Sequence, residues 1–267
     1  MNRSRPTVAD LLNERGTRQL SMIHIESADE AAAAAAVGID LLSIETPIWG
    51  ARMREAAGDC FVFVGLLYGQ LVTTDDYLRA AHEAMQLGGD AVYCAASLEI
   101  VSRLKAEGIP VCGHTGLIPS KRTWTGGFRA VGKTASSAML VYQQVKDLEA
   151  AGAFAAEIEV VPARVATEIA KRSSLLLLSM GAGAGCDAQY LFSTDILGYT
   201  DGHTPRHARQ YRNFKTELDR LQLERVAAFG EFAGEVGSGA YPTSDHEVGI
   251  TDDEFAAFQA AVATASP

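Results

Sequence analysis

Short apolar runs recur along the chain, and the segments between them have polar and apolar positions at helical spacing. Apolar runs of this length, bounded by turn residues, are typical of strands buried on both faces of a parallel sheet. The predicted strands are residues 20–25, 41–44, 61–64, 91–94, 111–112, 156–160 and 175–179, with an eighth element around residues 195–198.

Capping residues mark where the helices between these strands begin. Ser27 with Glu30, and Thr251 with Glu254, have the spacing of a capping box, and Pro162 suits the first residue of a helix. The predicted helices follow Thr7 and Pro162 and also cover residues 31–36, 74–87, 97–107, 134–151, 214–235 and 251–265.

This alternation of strand and helix, repeated eight times in 267 residues, predicts an α/β fold, a (β/α)8 TIM barrel. A doubly wound open sheet is the alternative. We expect one barrel domain over residues 1–267, with an N-terminal helix and a C-terminal helical extension. A barrel places its functional residues at the carboxyl ends of its strands.

The composition narrows the class of protein. The chain is 48% hydrophobic and 21% charged, and its formal net charge is -10, which disfavours binding to nucleic acid. The longest apolar stretches are too short to span a membrane, and residues 1–16 have no apolar signal-peptide core. We therefore expect a cytoplasmic protein. The four cysteines form no C-x-x-C pair, which argues against a zinc site or a disulfide framework.

His114 and Glu159 are the leading candidates for catalysis. His114 follows a short apolar run and precedes a glycine-rich basic connection, which is how many α/β enzymes build a site. Glu159 lies within a predicted strand, and alternation directs it to the same side as Glu157, where a carboxylate can act as a general base. The alternatives are a core histidine and a surface glutamate.

Other polar and aromatic residues at the strand ends are candidates for substrate binding. Glu45 is a candidate to orient the substrate or to bind a metal ion. Tyr68, Tyr93 and Trp49 are candidates to line a pocket. Ser179 precedes the glycine run of residues 181–185, which we interpret as a tight barrel loop rather than a phosphate cradle. The basic side chains after His114 either attract an anionic substrate or solvate a loop; they are Lys121, Arg122, Arg129 and Lys133.

Several motifs in register resemble ketopantoate hydroxymethyltransferase (3-methyl-2-oxobutanoate hydroxymethyltransferase). Residues 110–119 read PVCGHTGLIP, residues 126–132 read GGFRAVG and residues 159–162 read EVVP. Further on, residues 195–209 read DILGYTDGHTPRHAR, and residues 237–242 read GSGAYP. The resemblance is close over about residues 105–247, and it covers the first hundred residues only by the order of their elements.

The resemblance implies a barrel of the phosphoenolpyruvate mutase/isocitrate lyase type. Members of that family deprotonate an α-keto acid bound to Mg²⁺ and add a one-carbon unit from 5,10-methylenetetrahydrofolate, which is a co-substrate. The match places the family's general base on Glu159 and its substrate-contacting histidine on His114. It also implies a homo-oligomer, with a decamer as one form.

The first four strands depart from the family pattern. The second strand ends SIETPIW where the family has VGDSLGM, so the family's metal aspartate falls on Thr46 or, after a shift of one residue, on Glu45. Both residues are therefore candidates to contact the substrate at this strand end. Gly65 stands at the second metal aspartate, and Tyr93 stands at the substrate lysine. These changes leave Glu45 as the one candidate metal ligand, with Mg²⁺ uncertain, and favour a larger, more aromatic or less charged substrate.

The function expected from the sequence is hydroxymethyl transfer to an enolisable carbonyl compound, which forms a C–C bond with Glu159 as general base. One alternative is a folate-independent C–C lyase, hydrolase or isomerase of the same barrel superfamily. The other is a barrel subunit without catalytic activity. An open pocket in which Glu159 and His114 converge would count against that last alternative.

Overall fold

A computed structural model describes residues 5–200, 202 and 204–264. Its contacts divide the chain into two compact units, Met1–Asn213 and Phe214–Pro267, which are described separately. The prediction of one domain over the whole chain stays a prediction.

The first unit is a closed barrel of eight parallel strands in sequential order, which confirms the predicted (β/α)8 fold. The last strand pairs with the first and closes the barrel. The strands are β1 (Leu20–His24), β2 (Leu41–Glu45), β3 (Phe61–Gly65), β4 (Ala91–Tyr93), β5 (Val111–Gly116), β6 (Ala155–Glu159), β7 (Leu176–Met180) and β8 (Ala188–Phe192).

Helices cover the outside of the barrel, and most begin at the predicted caps. The Thr73 hydroxyl accepts a hydrogen bond from the Asp76 amide, and the Thr134 hydroxyl accepts one from the Ser137 amide. The helices of this unit are α1 (Val8–Asn13), α2 (Ala28–Ala36), α3 (Ala51–Ala56), α4 (Thr74–Gln86), α5 (Leu98–Ala106), α6 (Arg122–Thr125), α7 (Ala135–Ala151), α8 (Ala163–Ala170) and α9 (Ser193–Leu197).

The barrel interior is filled at its amino-terminal side by large side chains. Phe61 and Phe63 point inward from β3 and are almost fully buried. The Phe63 ring stacks on Phe154, with ring centroids 5.8 Å apart. Because this end is packed with apolar groups, the interior opens only toward the carboxyl ends of the strands.

The predicted position of the eighth strand is wrong. Residues 195–198 lie in α9 and its glycine cap, while β8 precedes them at Ala188–Phe192. The segment that forms β8 begins only two residues after Cys186, and its Gln189 interrupts the apolar run. Ser193 follows β8 directly and begins α9, and Gly198 ends it with a φ of +69°.

The second unit consists of two helices, α10 (Phe214–Ser238) and α11 (Asp252–Thr264). In the segment between them, the Tyr241 ring contacts Phe232, with ring centroids 5.6 Å apart. None of the described side chains in this unit is buried. Across the described parts of both units, no helix combines the length and the apolar composition that crossing a bilayer requires.

Candidate active site

A cavity of about 300 Å³ opens at the carboxyl ends of the strands. All eight strands contribute to its lining, because their ends meet at one rim of the barrel. The lining side chains from the strands include His24, Ser43, Glu45, Tyr93, His114, Glu157, Glu159, Met180, Tyr190 and Phe192. The cavity is therefore the place in the barrel where chemistry-bearing residues converge.

An acid–base cluster of four side chains forms the polar wall of this cavity. The His114 Nε2 atom lies 3.1 Å from the Glu159 Oε2 atom, and its Nδ1 atom lies 2.5 Å from the Tyr93 hydroxyl oxygen. Tyr93 donates its hydroxyl proton to the Glu157 Oε2 atom at 2.8 Å. Strand pairing explains the convergence, since His114 faces Glu157 in the register of β5 and β6.

The hydrogen-bond directions identify the protonation state of His114. A phenol has one proton, and the Tyr93 proton goes to Glu157, so the His114 Nδ1 atom must donate to the Tyr93 oxygen. The Nε2 atom faces two acceptors, the Leu117 carbonyl oxygen at 3.0 Å and the Glu159 carboxylate. Two donating ring nitrogens make His114 an imidazolium.

The pKa directions agree with this assignment. Burial lowers the pKa of His114, but the nearby Glu157 and Glu159 carboxylates outweigh burial and raise it above its ordinary value of 6.5. Burial raises the pKa of Glu157, which the neighbouring Glu159 charge raises further. The cluster thus places a cationic imidazolium against Glu159, and both side chains are largely buried.

Two unusual backbone positions hold Glu159. Gly116 has a φ of +84°, and a Cβ atom there would lie 2.4 Å from the Glu159 carbonyl oxygen. Val160 follows Glu159 with a φ of +47°, which is strained for a β-branched residue. The Val160 amide donates to the Met180 carbonyl oxygen at 2.8 Å. Strain of this kind is found where a structure fixes the geometry of a functional group.

The residues present do not fit a dedicated Mg²⁺ site. One group of three residues could hold a metal ion within the described part of the chain: His114, Glu157 and Glu159. Both ring nitrogens of His114 are committed to hydrogen bonds, and an imidazolium offers no lone pair to a metal. Mg²⁺ also prefers oxygen ligands. Glu45 pairs with Gly65 across β2 and β3, and Gly65 has no side chain to act as a second ligand.

His24 and Ser43 were not predicted as site residues, yet both line the cavity. The His24 Nδ1 atom lies 3.3 Å from the Ser43 hydroxyl oxygen. Burial lowers the pKa of His24 to about 4, so His24 is neutral at pH 7. Alternation along β1, whose Leu20, Met22 and His24 are all buried, was the sequence signal that could have identified it.

The structure brings five of the predicted site residues together. Glu159, His114, Tyr93, Glu45 and Tyr68 all line the cavity. Tyr68 lies at the rim and is 57% exposed. The open cavity, with Glu159 and His114 converging, counts against a barrel subunit without catalytic activity.

Three other predicted residues do not reach the cavity. Thr46 follows β2 in a short 3-10 turn and is outside the lining, so Glu45 supplies the side chain at that strand end. Ser179 points away from the barrel axis and is buried. Its hydroxyl donates to the Gly183 carbonyl oxygen at 2.8 Å, which confirms the glycine run as a tight loop. Trp49 belongs to the core, where its Nε1 atom donates to the Ala84 carbonyl oxygen.

Comparison with known structures supports the fold. A putative phosphonomutase from Burkholderia cenocepacia superposes with a TM-score of 0.51 at 13% identity, covering 85% of this chain and 99% of that chain. At this level of identity the similarity concerns the barrel architecture alone.

Sequence comparisons support a closer relationship. The 3-methyl-2-oxobutanoate hydroxymethyltransferase 1 of Methylibium petroleiphilum is 35% identical over 210 residues, which are 77% of this chain and 69% of that protein. The enzyme of Deinococcus radiodurans is 33% identical, over 76% of this chain and 72% of its own length. The enzyme of Halalkalibacterium halodurans is 34% identical, and the match spans 59% of its length.

The family comparison covers the strands that carry His114 and Glu159 and the segment that follows the barrel. The sequence model of ketopantoate hydroxymethyltransferase matches residues 48–244, which include His114, Glu159 and the connection between β5 and α7. This range extends well beyond the motifs at residues 110–132 and includes the strand ends at Gly65 and Tyr93 that depart from the family pattern. Glu45 and Thr46 lie before the matched range. The chain therefore belongs to the ketopantoate hydroxymethyltransferase family.

Proposed function

We propose that this protein is a hydroxymethyltransferase that joins a one-carbon unit to the carbon beside a carbonyl group, with Glu159 as general base. The observation that carries the proposal is the Glu159–His114 pair, at 3.1 Å, in the wall of the cavity formed by the strand ends. Membership of the family supports the reaction class.

The geometry supports a proton transfer at Glu159. The carboxylate would accept the proton from the carbon beside the carbonyl, and the C–H electron pair would form the enolate C=C bond while the carbonyl π pair moves to oxygen. The His114 ring lies beside Glu159, with its Nε2 atom 3.1 Å from the Glu159 Oε2 atom, and fixes the position of that carboxylate. The nucleophilic carbon would then form the new C–C bond with the methylene carbon of 5,10-methylenetetrahydrofolate. Both C–N bonds of that methylene carbon would break, water would supply the hydroxyl group, and tetrahydrofolate would leave with the electron pairs of the two broken bonds.

The co-substrate of the proposed reaction is 5,10-methylenetetrahydrofolate, which supplies the one-carbon unit when bound. No step of the proposed reaction uses Mg²⁺, because the described side chains of the cavity do not offer a set of ligands that suits that ion. A homo-oligomer, with a decamer as one form, and a cytoplasmic location are proposed on the same family relationship.

Substitution of Glu159 tests the proposed function. The Glu159→Gln variant keeps the size of the side chain and removes its basicity, so the formation of hydroxymethyl product should fall at least roughly a hundredfold. Product is measured by mass spectrometry as the gain of CH₂O on 3-methyl-2-oxobutanoate or on its amide, with 5,10-methylenetetrahydrofolate as donor. Glu99→Gln, the same change on the exposed surface of α5, is the control. Unchanged turnover in Glu159→Gln would refute the assignment of the base.

A further inference from the structure

We infer that the carbonyl substrate enters this cavity as an uncharged molecule, such as a ketone, amide or ester, rather than as a keto acid. The inference rests on the proposed function for the reaction and concerns the charge of the substrate. It is argued from the charges and the apolar groups that line the cavity.

The described side chains that line the cavity include acids and no permanent cation. Glu45, Glu157 and Glu159 line it, and none of the described lining residues is Lys or Arg. A substrate carboxylate would be taken from water into a space shared with these three acids. Bringing an anion into such a site without a partner cation costs free energy, both from lost hydration and from like-charge repulsion.

The two histidines do not supply the missing charge. His24 is neutral at pH 7, because burial lowers its pKa to about 4. The His114 imidazolium is committed to Glu159 and to the Tyr93–Glu157 pair through its two nitrogens. One imidazolium therefore stands against three carboxyl groups, and a fourth carboxylate would find no free donor on it.

The remaining walls of the cavity are apolar or aromatic. Tyr190 and Phe192 stack with ring centroids 5.9 Å apart on β8, and Met180, Leu66 and Ile118 are further apolar residues of the lining. An uncharged carbonyl compound gains from the burial of its carbon skeleton and loses little hydration. The apolar walls and the acidic side chains of the cavity therefore both favour an uncharged carbonyl compound.

Lys121 is a basic residue close to the main cavity. It lines an adjoining cavity of about 180 Å³, which shares His114 and Ile118 with the main cavity. Lys121 is absent from the lining of the main cavity. A Lys121→Met variant measures whether this side chain contributes to the binding of a keto acid.

A matched pair of probes that differ only in charge tests the inference on the full-length protein. The probes are 3-methyl-2-oxobutanoate and 3-methyl-2-oxobutanamide, which share the carbon skeleton and the hydrogen at C3. Ligand-observed NMR gives the affinity of each probe, and loss of the C3 proton signal in D₂O gives the rate of deuterium exchange without any folate. Each exchange rate is divided by the uncatalysed rate of the same probe.

We expect the amide to bind more tightly and to show the larger enzyme-dependent exchange. In the Glu45→Gln variant, affinity for the acid should rise by roughly fivefold, because one nearby negative charge is removed, while affinity for the amide stays within about twofold. Glu45 is exposed at the rim, so this variant should fold normally. Glu99→Gln, on the exposed surface of α5, should change neither affinity.

The outcomes separate this inference from the proposed function. Equal or tighter binding of the acid overturns the inference. If the Lys121→Met variant then loses affinity for the acid, Lys121 is the cation that binds the substrate carboxylate. Preferential binding of the amide without exchange leaves the charge inference standing and refutes proton abstraction at Glu159. Binding of neither probe overturns the inference for a carbonyl compound of this size.

Discussion

His24 lies buried at the end of β1, where burial lowers its pKa from 6.5 to about 4. A group whose folded-state pKa is lowered in this way binds its proton more readily in the unfolded chain. Its contribution to stability is therefore complete above pH 6.5 and is lost as the pH falls toward 4. The shift corresponds to about 3 kcal/mol of unfolding free energy over that window.

We predict that the His24→Gln variant loses less stability on acidification than the unsubstituted protein, by about 3 kcal/mol between pH 7 and pH 4. Urea unfolding at the two pH values measures the loss of stability for each variant. Comparing the losses between variants cancels the contribution of the carboxyl groups, which titrate in both. His82→Gln, at an exposed position of α4, is the control. Equal losses in the unsubstituted protein and in His24→Gln would show that His24 is not buried in its neutral form.

The convergence of His114 and Glu159 could be predicted from the sequence, because both residues lie on strands whose ends must meet at one rim. The contact between Tyr93 and Glu157 could not, since it joins residues 64 positions apart and depends on side-chain reach across β5. The sequence also left open whether Glu45 or Thr46 faces the cavity at the end of β2. A shift of one residue in a strand reverses which side chain faces the barrel, and the motif in this strand departs from the family pattern.

The backbone of β5 lies very close to the backbone of β6 at Gly116, and this contact positions Glu159. Gly126 lies on the connection that follows β5 and also has a positive φ, +73°, but a Cβ atom there would meet only the Arg129 side chain, at 3.7 Å. Alanine at either position carries the strain of a left-handed backbone, about 1 kcal/mol. At Gly116 it also collides with the Glu159 carbonyl oxygen and the Val161 side chain.

We predict that Gly116→Ala is less stable than Gly126→Ala by roughly 1–3 kcal/mol, the usual cost of overpacking. Because the collision displaces the backbone of the proposed base, Gly116→Ala should also lose most of the C3 deuterium exchange, about tenfold or more. Gly126→Ala should keep that exchange. Thermal unfolding and the exchange assay measure the two effects, and identical behaviour of the two variants would contradict the role given to this contact.

Strands could be predicted where an apolar run stands alone between turn residues, as in β2 and β3. The prediction failed at β8, because its five residues follow the glycine loop without a helix before them and continue directly into α9. In a regular barrel a helix separates the last two strands. Here residues 181–187 make that connection, held by the Ser179 hydroxyl and the Gln189 amide on the Gly183 carbonyl oxygen.

The unit that follows the barrel, Phe214–Pro267, presents apolar side chains that its own two helices leave uncovered. On α10, Phe229, Phe232 and Val236 recur at helical spacing and are 73%, 55% and 50% exposed. A contiguous apolar surface of this kind usually marks a contact with another protein. The proposed homo-oligomer would give this surface a partner in a second copy of the chain.

We predict that Phe229→Glu lowers the molar mass of the assembly in solution, because a charge on this apolar face must lose its hydration when the face is covered. Size-exclusion chromatography with light scattering measures the mass across a range of protein concentrations. Ala228→Glu adds the same charge on the neighbouring face of α10, which carries Glu224 and Glu231, and it should leave the mass unchanged. If both variants keep the mass of the unsubstituted protein, the apolar face of α10 takes no part in assembly.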